Sequence, residues 1–200
     1  NLEINKDRTI CIEGENGSGK STLVDLISGM LTPLEGKIEF NNQNIQDIKE
    51  DWQKNIGYVS QTNFLINSSI KDNIVFGRER VSEENINDVI KKVELETFIN
   101  SLPMGIETNV GNLGGNLSGG QKQKIAIARA LIPDPKIIIL DEATNALDKE
   151  TEENFLEIIN KIKNGKITLF IAHSKLIKKF CDINILIKNK RIEINNEKRN

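Results

Sequence analysis

No stretch of this sequence is long and apolar enough to cross a bilayer as a helix. Such a helix needs about 20 apolar residues in succession. The richest runs, Ile137-Ile138-Ile139-Leu140 and Leu169-Phe170-Ile171-Ala172, are far shorter and read as buried strands. No signal-peptide pattern is visible in these residues. Aromatic residues make up only 4% of it, little material for a surface that stacks single-stranded nucleic acid. Charge of one sign is not in excess either. Lys and Arg total 27 against 29 Asp and Glu, a net charge of -2, so bulk charge favours neither nucleic acid nor an anionic membrane. The two cysteines, Cys11 and Cys181, lie far apart within apolar stretches and have no zinc-type spacing. They read as buried thiols of a reducing compartment. Internal repeats and low-complexity segments are absent.

What is present suits one compact domain with an inserted lobe: 200 residues, 38% of them apolar. Short β-type runs at residues 9–13, 37–40, 56–60, 136–140, 167–172 and 183–187 alternate with helical patterns. Leu23, Leu26, Ile27 and Met30 mark one helix face, and Phe155, Ile158, Ile159 and Ile162 mark another. The middle differs. From about residue 62 to 131 the pattern is helix and loop, with Ser82 as an N-cap and Ile86, Val89, Ile90 and Val93 on one face. The expected fold is α/β: a mostly parallel sheet covered on both faces, formed by residues 1–61 and 132–200, with a helical subdomain at 62–131. The chain opens inside what reads as a strand, as a piece of something longer would, and residues 195–200 read as a frayed polar tail.

The segment Gly14-Glu15-Asn16-Gly17-Ser18-Gly19-Lys20-Ser21-Thr22 is a phosphate-binding loop. Glycines let consecutive backbone N–H groups curl inward onto phosphate oxygens, and the helix that follows adds its positive end. Lys20 can reach the β- and γ-phosphates, Ser21 can bind Mg²⁺, and Thr22 can reach the α-phosphate. Average residue frequencies put a chance match in a chain of this length at roughly one in a hundred. Downstream, the run 137–140 ends in Asp141-Glu142. Ligands of open α/β sheets sit at the carboxyl ends of the strands. Asp141 there suits Mg²⁺, and Glu142 suits a general base for water. Alone, such a pair is more often a helix cap; its place after a phosphate loop makes the functional reading the better one.

A third segment, Leu117-Ser118-Gly119-Gly120-Gln121, opens a helix through Ile125 and Ala128. It makes a second helix N-terminus with N–H groups available to an anion. One ATP rarely needs two such ends from one chain. Together the three segments strongly resemble the nucleotide-binding domain of ABC ATPases. The resemblance implies a P-loop NTPase core of RecA-like type with an inserted signature subdomain and a small, incomplete β portion at the N-terminus. It also implies that two domains pair head to tail, so that the Ser118, Gly119, Gly120 and Gln121 end caps an ATP held by the partner's Lys20 loop.

By the same resemblance, Gln61 corresponds to the glutamine that touches Mg²⁺ and the attacking water. His173, the only histidine, corresponds to the one that contacts the γ-phosphate, and Asp148 belongs to a loop, 145–148, that crosses the dimer interface. Asp148 also suits an N-cap. Two stretches, 67–74 and 108–114, look like the exporter branch, in which the second faces the membrane domain. Asn112 departs from that branch's usual glutamate, and Asn145 from a usual serine. The aromatic that stacks on adenine is expected upstream of Asn1, so these residues alone should hold ATP weakly; such stacking contributes about 1–3 kcal/mol.

The expected function is therefore an ATP-hydrolysing exporter motor, soluble by itself, at the cytoplasmic face of a membrane. Its expected partners are a second nucleotide-binding domain and transmembrane domains, not nucleic acid. The alternative is a soluble ABC ATPase acting on nucleic acid or ribosomes. Such chains separate the motif halves by a long coiled coil or lack the histidine, and this one does neither. A degenerate ATP-binding regulator is disfavoured because Glu142 and His173 are both present.

Overall fold

The structure, a computed structural model, describes residues 2–145 and 147–195. Asn1, Ala146 of the expected interface loop, and the tail beyond Asn195 lie outside the described residues.

The apolar runs form a six-stranded sheet. The strands are β1 (Thr9–Gly14), β4 (Ile56–Val59), β5 (Ile137–Asp141), β6 (Ile167–Ile171), β7 (Ile183–Lys188) and β8 (Arg191–Asn195), in the order β4-β5-β6-β1-β7-β8. Every pairing is parallel except β7 with β8. A separate two-stranded hairpin joins β2 (Glu39–Phe40) and β3 (Gln43–Asn44). Asn41 and Asn42 make its turn with φ of 50° and 64°, a conformation asparagine tolerates better than most residues.

Side-chain alternation divides the core in two. Ile10, Ile12, Ile137, Ile139, Leu169 and Ile171 face one side, packed with Val24 of α1 (Lys20–Ile27) and Trp52 of α2 (Lys49–Lys54). Cys11, Ile138, Leu140 and Phe170 face the other side. There they meet α6 (Gly119–Leu131), α7 (Lys149–Ile162) and α8 (Lys175–Phe180). Burying each such side chain contributes about 1.5–3 kcal/mol. Between β4 and β5 the described elements are helical: α3 (Ile70–Ile74), α4 (Glu83–Lys92), α5 (Glu96–Ser101), two short 3₁₀ turns and α6. Cys11 and Cys181 are both buried.

Several local expectations need correction. Residues 2–8 form no strand; a turn with Asp7 at φ 62° precedes β1. Met30 is not on a helix face but is 63% exposed, because α1 stops at Ile27. Gly29, at φ 71°, ends that helix while the Met30 N–H returns to Asp25 O at 2.9 Å. The run 37–40 keeps only Glu39–Phe40 as strand, and 56–60 ends at Val59. Strand β8 is an addition to the runs that the sequence pattern marks as strand.

Candidate active site at the carboxyl edge of the sheet

Strands β1, β5 and β6 deliver the phosphate loop, the acidic pair and His173 to one edge of the sheet. Gly14 ends β1 beside Ile187 of β7. A Cβ on Gly14 would stand 2.4 Å from Ser18 Oγ and 2.6 Å from Ile187 O, so no other residue fits where the loop doubles back. Gly19 caps α1 at φ 108° without a side-chain hydrogen bond, leaving the first-turn N–H groups clear of any cap. Asn16, Gly17, Ser21 and Thr22 are exposed along this arc.

Lys20 is 8% exposed, and its ammonium donates to Gly14 O at 2.7 Å and Glu15 O at 3.0 Å. No carboxylate pairs with it among the described residues. Ser18 Oγ is buried without a hydrogen-bond partner. A buried unpaired cation, an orphan hydroxyl and an uncapped helix end together fit a polyphosphate.

The acidic pair is held by neighbours. Tyr58 in β4 donates its hydroxyl to Asp141 Oδ2 at 2.6 Å. Burial, reinforced by that carboxylate, pushes the phenol well above its ordinary pKa. Glu142 leaves β5 at φ 48°, and its N–H donates to Ile171 O at 2.9 Å. Its Oε2 accepts from Gln61 Nε2 at 2.8 Å and from Asn145 Nδ2 at 2.8 Å. The buried Gln123 of α6 donates to Ala143 O at 2.7 Å, tying that helix to the turn that carries Glu142. His173 follows β6 and is exposed, and among the described residues no hydrogen bond joins it to the rest of the site. The donors Ser21, Gln61 and Asp141 are hard oxygens, suited to Mg²⁺. Among the described residues no group of three or more His, Cys, Asp or Glu could hold a metal, so Mg²⁺ would need phosphate oxygens as further ligands.

Ser118 caps α6, and its end is less open than the sequence suggests. Gln121 N–H donates to Ser118 Oγ at 3.2 Å and Ser118 N–H to Gln121 Oε1 at 2.8 Å, a reciprocal cap that satisfies two helix-end donors. The Gly119 and Gly120 N–H groups remain for an anion. Asp148 accepts from Thr151 N–H at 2.8 Å as the N-cap of α7, and that bond holds its carboxyl below the usual range. No hydrogen bond or ion pair joins the Ser118 end to the Lys20 loop among the described residues. The exporter-like stretches pack together: Ile70 N–H donates to Thr108 O and Val110 N–H to Ser68 O, each at 3.0 Å.

The ABC transporter family model matches residues 1–145. The chain belongs to the ABC transporter family. It is 42% identical over 173 residues to ABC transporter B family member 21 of Arabidopsis thaliana, covering 86% of this chain and 13% of that protein. It is 40% identical over 193 residues to multidrug resistance protein pgp-1 of Caenorhabditis elegans, covering 96% of this chain and 15% of that one. The chain thus spans a minor part of the relatives it matches. A solved bacterial Atm1-family ABC exporter with ATP bound superposes with a TM-score of 0.87 at 34% identity, over 98% of this chain and 34% of that one. The sequence and fold are those of an exporter-type, ATP-binding ABC domain.

The structure adds Tyr58, Gln123 and Asn145 to the site residues that the sequence singles out. Only Asn145 carried a signal, as a departure from the family's serine.

Proposed function

We propose that this ABC domain is the ATP-hydrolysing motor of a membrane exporter and acts as half of a head-to-tail pair. The observation that carries the reading is the presence of an uncapped helix end around Lys20 and a second helix end at Ser118, with no hydrogen bond or ion pair between them among the described residues. In this reading Gly14, Asn16, Gly17, Ser18, Gly19, Lys20, Ser21 and Thr22 cradle the phosphates. The partner domain contributes Ser118, Gly119, Gly120 and Gln121, with Asp148 at the shared interface.

Glu142 takes a proton from water, whose oxygen attacks the γ-phosphorus while the β–γ bridging oxygen leaves with its electron pair. Gln61 orients that water, and His173 contacts the γ-phosphate. Mg²⁺, held by Ser21, Asp141 and Gln61, would offset charge on the phosphate oxygens.

Residues 1–61 and 132–200 act as the nucleotide-binding core and 62–131 as a helical subdomain. Phe64 and Phe76 of that subdomain are 51% and 44% exposed and adjoin Arg129 through the Phe64 carbonyl and the Phe76 ring. Exposed aromatics there suit contact with transmembrane domains at the cytoplasmic face. Among the described residues no helix is long and apolar enough to cross a membrane. The alternative, action on nucleic acid or ribosomes, has no support from the exporter relatives.

The test is Glu142→Gln in the full-length protein. It should bind ATP, lose turnover and hold the two nucleotide-binding domains together, read by crosslinking across the interface. Separated domains at saturating ATP would overturn the head-to-tail reading.

A further inference from the structure

Asn145 stands three residues after Glu142, and the turn between them closes with the Asn145 N–H on Glu142 O at 3.2 Å. Glu142 opens that turn at φ 48°. A residue with a Cβ holds this left-handed conformation only against a steric penalty, so surrounding bonds must fix it. They are the Glu142 N–H on Ile171 O at 2.9 Å and Gln123 on Ala143 O at 2.7 Å. The result folds the Asn145 side chain back onto the Glu142 carboxylate at 2.8 Å, where Gln61 arrives at the same oxygen. A carboxylate only accepts, so both side chains present their NH₂ groups. Oε2 is then committed to two donors, and Oε1 is the oxygen left to receive a proton. A serine at 145, one bond shorter, would not span this gap.

We propose that Asn145 is a positioning residue for Glu142. Its amide, with that of Gln61, anchors Oε2 and presents Oε1 to the attacking water. The proposal rests on Glu142 being the general base. In the step, a water O–H bond breaks, its proton passes to Oε1, the water oxygen bonds to the γ-phosphorus, and the bridging oxygen leaves with the bonding pair. Asn145 touches no reacting atom. It acts through the carboxylate alone.

The experiment measures turnover at saturating ATP, and ATP affinity by equilibrium binding, in the full-length protein. The variants are Asn145→Ala and Asn145→Asp, in the parent and in a Glu142→Gln background. Asn145 is exposed, so neither change should unfold the domain. Asn145→Ala should lower kcat about 10- to 100-fold, the usual effect of a misplaced catalytic group, without weakening ATP binding. Asn145→Asp should lower kcat further, since a second carboxylate repels Glu142. In the Glu142→Gln background Asn145→Ala should leave the residual rate within about twofold, as expected of two residues acting as one unit. An unchanged kcat, an equal fold loss in both backgrounds, or a matching loss of ATP affinity overturns the positioning role while leaving the base assignment intact. Parent-like turnover by Glu142→Gln alone overturns the base assignment and this proposal with it.

Discussion

Tyr58 of β4 donates its hydroxyl to Asp141 of β5 at 2.6 Å, reaching diagonally past its direct strand partner Ile139. The bond fixes the carboxylate proposed to hold Mg²⁺. Tyr58→Phe keeps the ring and removes only the donor. Outer-shell partners of metal ligands typically contribute 10- to 100-fold in affinity. The Mg²⁺ concentration for half-maximal MgATP binding should therefore rise about tenfold, the low end of that range, since one donor is lost. A calorimetric Mg²⁺ titration at fixed ATP reads this directly. An unchanged midpoint would reduce the bond to strand packing.

Lys20 and Glu142 should separate binding from turnover. The Lys20 ammonium is buried against Gly14 O and Glu15 O, with no carboxylate among the described residues to neutralise it. Lys20→Ala removes a charged donor to phosphate, each such bond contributing about 1.5–3 kcal/mol, so ATP affinity should fall about 10- to 100-fold. Glu142→Gln keeps the side-chain volume and the phosphate contacts, so it should bind ATP normally while turnover fails. Equilibrium binding and phosphate release on the same samples check both. ATP binding by Lys20→Ala at parent affinity would remove Lys20 from the phosphate site.

The phosphate loop and the acidic pair were legible because each is contiguous and sits at the end of an apolar run. Ile137 to Leu140 carries its own strand signal, so Asp141 and Glu142 could be placed at the sheet edge without knowing the strand order. Tyr58 could not. Its partner is 83 positions away, and the contact exists only because β4 lies next to β5. Met30 misled for a local reason: it keeps the 3.6-residue spacing past Gly29, where the backbone has already left the helix. β8 escaped because Ile192 and Ile194 alternate with polar residues in a short charged segment, and pairing with β7 is what makes it a strand. Ser118 was legible as a cap. Gln121 was not legible as its reciprocal partner, because that requires a rotamer as well as a spacing.

Arg129 joins α6 to the segment after β4. It donates to Asn73 O at 2.7 Å, Phe64 O at 2.8 Å and Asn73 Oδ1 at 3.1 Å, with the Phe76 ring 5.2 Å from its guanidinium carbon. Burial, with Arg78 nearby, lowers its pKa from the usual guanidinium value. Arg129→Ala takes the donor away from the Asn73 and Phe64 carbonyls, while Asn73 Oδ1 keeps the Ile66 N–H at 2.9 Å, and should destabilise the domain by about 2–4 kcal/mol, scaled from one unsatisfied buried group upward. Arg129→Lys keeps the charge but not the planar fork, so it should recover less than half of the loss. Denaturant unfolding of both variants decides this. Equal stability of Arg129→Ala and the parent would show that water satisfies the carbonyls.

Gly119 opens α6 immediately after the Ser118 cap, and a Cβ built there meets nothing within 4 Å. Its own chain therefore gives no packing reason for glycine. Alanine is the better helix former, by about 1 kcal/mol in a helix interior and less in the first turn. Gly119→Ala should leave the melting temperature unchanged or slightly raised. If a partner's ATP approaches this N–H, the added methyl group stands in its path, and ATP-dependent pairing should weaken sharply. Crosslinking of paired domains in the Glu142→Gln background, measured beside thermal melting, separates the two effects. Loss of pairing with an intact fold assigns Gly119 to the interface. Unimpaired pairing would show that the Ser118 end does not meet the partner's nucleotide.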